Sequence, residues 1–208
     1  MQSQNTSFVA SMLHEIKATL RGEPHTFTEI RTMIEDARIG EYDLVEILLQ
    51  HHRFLNESVI ILMDDASPDA EKQMHMSRFL TLLDMHGRAE EETLYRSLIR
   101  HSQHDVIRHG LVCQDEHEIA FKLASDLRAM PFVTEWSDDA DAKAKVLASL
   151  VHHHMVEEEK FLFPIARKAL LPNELLVLAN DYLDVCEFNL DGEQRLVVPT
   201  LVSWPLNL

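Results

Sequence analysis

Between Gly40 and Gly192 the chain contains only two glycines, Gly87 and Gly110, and most of its seven prolines stand between long glycine-free stretches. That punctuation leaves few places to turn and long intervals in which to form helix, because glycine loosens a helix and proline ends one. Strand-like alternation of useful length is absent, so the expected class is all-α. Apolar residues recurring at three and four mark five strong segments, at about 41–64, 68–100, 103–130, 137–164 and 172–187. Ser67 and Pro68 supply an N-cap and first-turn proline for the second; Ser137 with Asp138, Asp139 and Asp141 opens the fourth. Two shorter amphipathic pieces, 8–20 and 26–38, precede them. The expected organisation is an N-terminal helical extension (1–40), a core of four helices (41–170), and a C-terminal helix (171–208) whose last stretch, from Asp191, forms an irregular strap on the surface or against a second subunit.

With 208 residues and 46% apolar composition, the chain supports one well-packed core. Its net charge of −16 disfavours nucleic acid and anionic membrane surfaces, since a phosphate-binding protein must bring cations. Small molecules, metal ions or proteins remain as partners, a second copy of the chain among them. Two cysteines, Cys113 and Cys186, do not make a disulfide framework, and no basic flank precedes an apolar run near Met1. No apolar stretch approaches the roughly 20 residues that span a bilayer. The cytoplasm is the expected compartment.

The four central segments carry apolar stripes that break in the same manner. The first reads Leu44, Leu48, His52, Leu55, Val59, Leu62, and the second Phe79, Leu82, His86, Glu90, Leu94, Leu98. The third reads Val106, Cys113, His117, Phe121, Ala124, and the fourth Leu147, Val151, His154, Glu158, Leu162, Ile165. Two buried carboxylates on one axis are costly and repel each other unless positive charge lies between them. Residues four apart on a helix lie about 40° apart around the axis and about 6 Å along it, so His86/Glu90 and His154/Glu158 each aim an imidazole and a carboxylate into one volume. With His52 and His117 they make four nitrogens and two carboxylates, a donor set suited to two first-row transition ions; zinc, manganese or a mixed pair satisfies it as iron does. His153/Glu157 is also a spaced pair, but only His154/Glu158 continues the apolar stripe. His51, His152 and His153 are expected at the surface or behind the ligands, and His75 is expected partly exposed or as a distal polar group along an access path. Glu91, Glu116 and Glu159 are placed to accept from ligand imidazoles or to lie in solvent. Cys113 reads as a small buried hydrophobe rather than a redox-active thiol near the metal, and mid-helix Gly87 as close helix approach, local bending or simple tolerance.

The two paired motifs share one form: histidine, three residues, Glu-Glu, two residues, then leucine and an aromatic. They run His86-Gly-Arg-Ala-Glu90-Glu91-Glu92-Thr-Leu94-Tyr95, and His154 to Glu158-Glu159 ending Phe161-Leu162-Phe163-Pro164. Together with Leu48-Leu49-Gln-His51-His52-Arg53 and Glu116-His117-Glu118, they resemble the hemerythrin-like, or HHE cation-binding, domain over roughly residues 42–170. The resemblance implies an up-and-down antiparallel four-helix bundle with two non-haem iron ions (Fe2+/Fe3+). It also implies that the two glutamates and an oxo or hydroxo group bridge them. Carried over residue by residue, the ligands are His52, His86, Glu90, His117, His154 and Glu158. The oxygen-carrying members place two histidines four apart on the third helix; here Cys113 and Phe121 flank His117 at that spacing, and His109 stands two turns before it.

Two histidines, two bridging carboxylates and an oxo bridge give each iron five contacts and leave both an open position. The expected function is a di-iron protein binding a small diatomic ligand, dioxygen or nitric oxide, for sensing, delivery or storage. The alternative is a di-iron oxidoreductase acting on peroxide, dioxygen or nitric oxide with an electron donor. A third reading, a helical interaction module without metal, predicts that chelation changes nothing.

Overall fold

The structure, a computed structural model, describes residues 27–40 and 42–197. These are all helical apart from short connections, and form six helices with no strand among the described residues. α1 is Phe27–Ile39 and α2 is Leu44–Met63. α3 runs Asp69–Glu90 and continues through a wide turn, Glu91–Tyr95, into Arg96–Ile99. α4 is His104–Arg128. α5 runs Asp138–Glu157 and passes through a second wide turn, Glu158–Leu162, into Phe163–Ala169. α6 is Pro172–Val197. The expected piece at 8–20 lies outside the described residues. No helix among them is long and apolar enough to cross a membrane.

Caps explain most of the boundaries. Asp43 accepts from the Glu46 amide while the Glu46 carboxylate accepts from the Asp43 amide, a reciprocal box that starts α2 at Leu44 rather than near position 41. The Ser137 hydroxyl oxygen accepts from the Ala140 amide at the head of α5, as expected. At α3 the expectation fails by one residue: Pro68 occupies the cap position, and the Ser67 hydroxyl donates to Asp64 instead. Pro164 lies in the final turns of α5, which run on to Ala169. The wide turn just before it already interrupts the i to i−4 ladder, so the missing donor costs little. α6 outruns its expected end near 187, and the backbone of 191–197, read from sequence as irregular, is helical.

The apolar stripes form one core. α2 packs on α3 and α5, α4 packs on α5 and on the C-terminal part of α3, and α6 lies against α2 and α3. α6 is therefore part of the core, contributing Leu175, Ala179, Tyr182, Leu183, Cys186 and Leu190, all buried. α1 rests on α6, where the Arg38 guanidinium donates to Asp184 at 2.6 Å and to Glu187 at 3.3 Å. Elsewhere on the core, Lys72 pairs with Asp141 at 2.6 Å, and Arg78 pairs with Glu57 at 2.6 Å.

Candidate metal centre

The six polar residues that interrupt the stripes come together in the middle of the core, none more than 5% exposed. They divide into two groups. Ligand atoms of His52, His86, Glu90 and Glu158 lie within 4.8 Å of one another, and so do those of Glu90, His117 and His154. Glu90 Oε2 stands 3.1 Å from His86 Nε2 and 3.6 Å from His117 Nε2. Glu158 Oε2 stands 3.3 Å from His52 Nε2 and 3.4 Å from His154 Nε2. Each carboxylate thus faces one histidine of each group. Two atoms bound about 2.1 Å from one ion are about 3.0 Å apart at a right angle and about 3.4 Å apart at a tetrahedral angle, and these separations lie in or near that range.

The ring nitrogens are sorted. Each of the four histidines turns Nε2 into the centre and Nδ1 outward. His52 Nδ1 is 2.9 Å from Glu159 Oε1, and His154 Nδ1 is 2.7 Å from Glu116 Oε2. His86 Nδ1 is 2.7 Å from the Tyr182 hydroxyl, and His117 Nδ1 faces Glu91 Oε1 at 3.6 Å. A proton held on Nδ1 leaves the inward Nε2 as a lone pair, the tautomer a metal requires. Buried Nε2 of His52 and His86, Oε1 of Glu90 and Oε2 of Glu158 have no hydrogen-bond partner. Unpaired buried acceptors aimed at one another fit a cation. Buried His/Glu groups of this chain can therefore hold metal ions.

Electrostatics agree. Burial, with the neighbouring charge of Glu158, pushes Glu90 well above the usual carboxylate range. For Glu158 burial acts in the same sense, but His154, His52 and His117 outweigh it and bring the group down to about 2. His86 is driven well below the imidazole range by burial and by the histidines around it.

Several placements were not foreseen. Tyr95 was part of a recognised motif yet received no role; it is fully buried, and its hydroxyl lies among His117, His154 and the two glutamates. Its counterpart in the second motif, Phe163, stacks on His52 with ring centroids 5.4 Å apart. The signal was the aromatic that follows leucine in both motifs. Tyr182 belongs to the helix read as an accessory, and it joins His51 to His86. His51 is buried behind the ligands, whereas His152 and His153 are exposed. His75 is buried too, with Nδ1 3.3 Å from the Ser58 hydroxyl. His109 is not among the grouped residues; Cys113 is buried near Glu116 and His154, and burial raises its thiol. Compared with family models, with curated proteins and with solved structures, the chain finds no match in any of the three.

Proposed function

We propose that this chain is a four-helix bundle of hemerythrin type. It holds two non-haem iron ions through His52, His86, Glu90, His117, His154 and Glu158 and reversibly binds a small diatomic ligand, dioxygen or nitric oxide. The observation that carries the reading is convergence: four Nε2 atoms and two carboxylates point into one volume, while Nδ1 of each histidine faces a polar side chain behind it. The near-complete burial of all six side chains favours a ligand of a few atoms over a larger substrate.

When bound, the irons supply reversible redox chemistry and open coordination positions to such a ligand. The protein's residues hold and insulate. Glu159 and Glu116 favour a proton on Nδ1 of His52 and His154, and Tyr182 orients His86, which keeps the nitrogens aimed inward. Leu48, Leu55, Leu94 and Leu162, each 1% exposed or less, surround the polar centre with hydrocarbon and exclude bulk water. Glu90 and Glu158 each face both groups, so they bind the ions as a pair.

The test is metal analysis of the full chain purified without added metal, with visible spectra before and after reduction. Near two irons per chain are expected, with bands that bleach on reduction and change when dioxygen or nitric oxide is added; His86→Ala with Glu90→Ala abolishes both. Failure to retain iron after anaerobic loading would overturn the reading. Sustained turnover of peroxide or nitric oxide with an electron donor would move the protein to the oxidoreductase class.

A further inference from the structure

Resting on that reading, we infer that Tyr95 is a seventh ligand, giving its phenolic oxygen to the ion held by His117 and His154. The hydroxyl oxygen is 3.2 Å from His117 Nε2 and 3.1 Å from His154 Nε2, and the two nitrogens are 3.0 Å apart. These are the edges of one triangular face around an ion whose ligands stand about 2.1 Å away at right angles.

With the Tyr95 proton given to Glu158, the neutral rings bring at most one proton, on His117 Nε2, to the three edges of this triangle. In a neutral His154 ring the proton sits on Nδ1, 2.7 Å from Glu116 Oε2, and Nε2 is a lone pair. The single Tyr95 hydroxyl proton goes to Glu158 Oε1 at 2.6 Å, its shortest contact. The phenolic oxygen therefore turns its lone pairs towards two ring nitrogens, one of which can only accept. Acceptor against acceptor at 3.1 Å is repulsive unless a cation lies between them.

Ligation breaks the phenolic O–H bond and forms an O–metal bond; the proton is released to water and no electrons move. The consequence is asymmetry. His117, His154, Tyr95 and the shared carboxylates complete one ion, while His52, His86 and the same carboxylates leave the other open. A small ligand is thereby directed to the His52/His86 ion, beside Tyr182. This replaces the symmetric pair of open irons counted from the sequence.

The experiment uses the full chain, loaded anaerobically with ferrous iron and then oxidised. Iron content is measured together with resonance Raman spectra excited in the visible. Expected are phenolate ring vibrations enhanced by a tyrosinate-to-iron band, which shift in protein carrying ring-deuterated tyrosine. They are lost in Tyr95→Phe and kept in Tyr182→Phe. A wild-type protein that holds two irons without those vibrations, or a Tyr95→Phe protein that keeps them, overturns the ligand assignment and leaves the di-iron reading standing. A wild-type protein that takes up no iron overturns both. The wild-type spectrum decides the matter even if Tyr95→Phe does not fold.

Discussion

Tyr182 has one proton to give and two imidazole nitrogens to satisfy, Nδ1 of His51 and Nδ1 of His86, each at 2.7 Å. If His86 turns a lone pair inward, its proton lies on Nδ1 and is donated to the Tyr182 oxygen. The hydroxyl then donates to His51, whose own proton must sit on Nε2. One tautomer at the centre thus dictates a second at His51, a residue outside the six donors, whose ring packs on that of His86. Burial and the adjacent His52 keep His51 neutral, with a pKa lowered to about 3, so this order persists through the physiological range. Tyr182→Phe leaves both nitrogens buried and unpaired. It is expected to lower stability by about 1–3 kcal/mol in urea unfolding and to weaken metal binding by roughly 10–100-fold in competition with a chelator. Unchanged affinity would show that Tyr182 only packs. From the sequence the ligand histidines were legible because each broke an apolar stripe. His51 was not, because its partner lies on a helix 131 residues away along the chain.

The two wide turns do at the element scale what side chains alone do not. Five residues beyond Glu90, an ordinary α-helix would carry Tyr95 about 140° around the axis, away from the centre. The Glu91–Tyr95 turn holds one residue more and returns position 95 to the face of position 90. The Glu158–Leu162 turn does the same for Phe163, which lands on His52. A reading by 3.6-residue periodicity places neither aromatic in the site, although the motif that contains both was visible. Gly87 shows the closeness of α3 to α4: a Cβ there would meet Phe121 Cζ at 2.8 Å and His117 Cε1 at 3.2 Å. Gly87→Val is therefore expected to push the His117 ring aside and cost about 1–3 kcal/mol in thermal unfolding. One ion per chain should be lost while the His52/His86 ion is kept. Two ions retained at wild-type affinity would mean that α4 yields without disturbing its histidine.

At the scale of the whole molecule, a chain with a net charge of −16 closes its core around two of its own carboxylates. Only the pairing of those carboxylates with positive charge makes their burial favourable. Ions bound to the folded but not the unfolded chain stabilise it by mass action, by about 4 kcal/mol when free metal exceeds its dissociation constant about 1,000-fold. Chelation should accordingly lower Tm, and added iron should restore it in proportion to the logarithm of its concentration. The chelated chain should stay largely helical, because the apolar stripes of α2 to α6 remain buried against one another. A Tm indifferent to chelation, measured by circular dichroism, would count against resident ions and for a bundle that only packs.

Periodicity and punctuation, written in the sequence itself, determined the helices, the stripes that bury them, and the four histidines and two glutamates that interrupt those stripes. Each is a local property: a residue's spacing from its neighbours on one helix decides which face it shares. Tertiary structure alone decided three other things. It made α6 part of the core, since an amphipathic helix shows its apolar face without naming what covers it. It set Tyr182 between two histidines of other helices. It also turned Tyr95 inward through a change of helical register that the packing of α3 against α4 and α6 imposes and that a fixed period along the chain does not record.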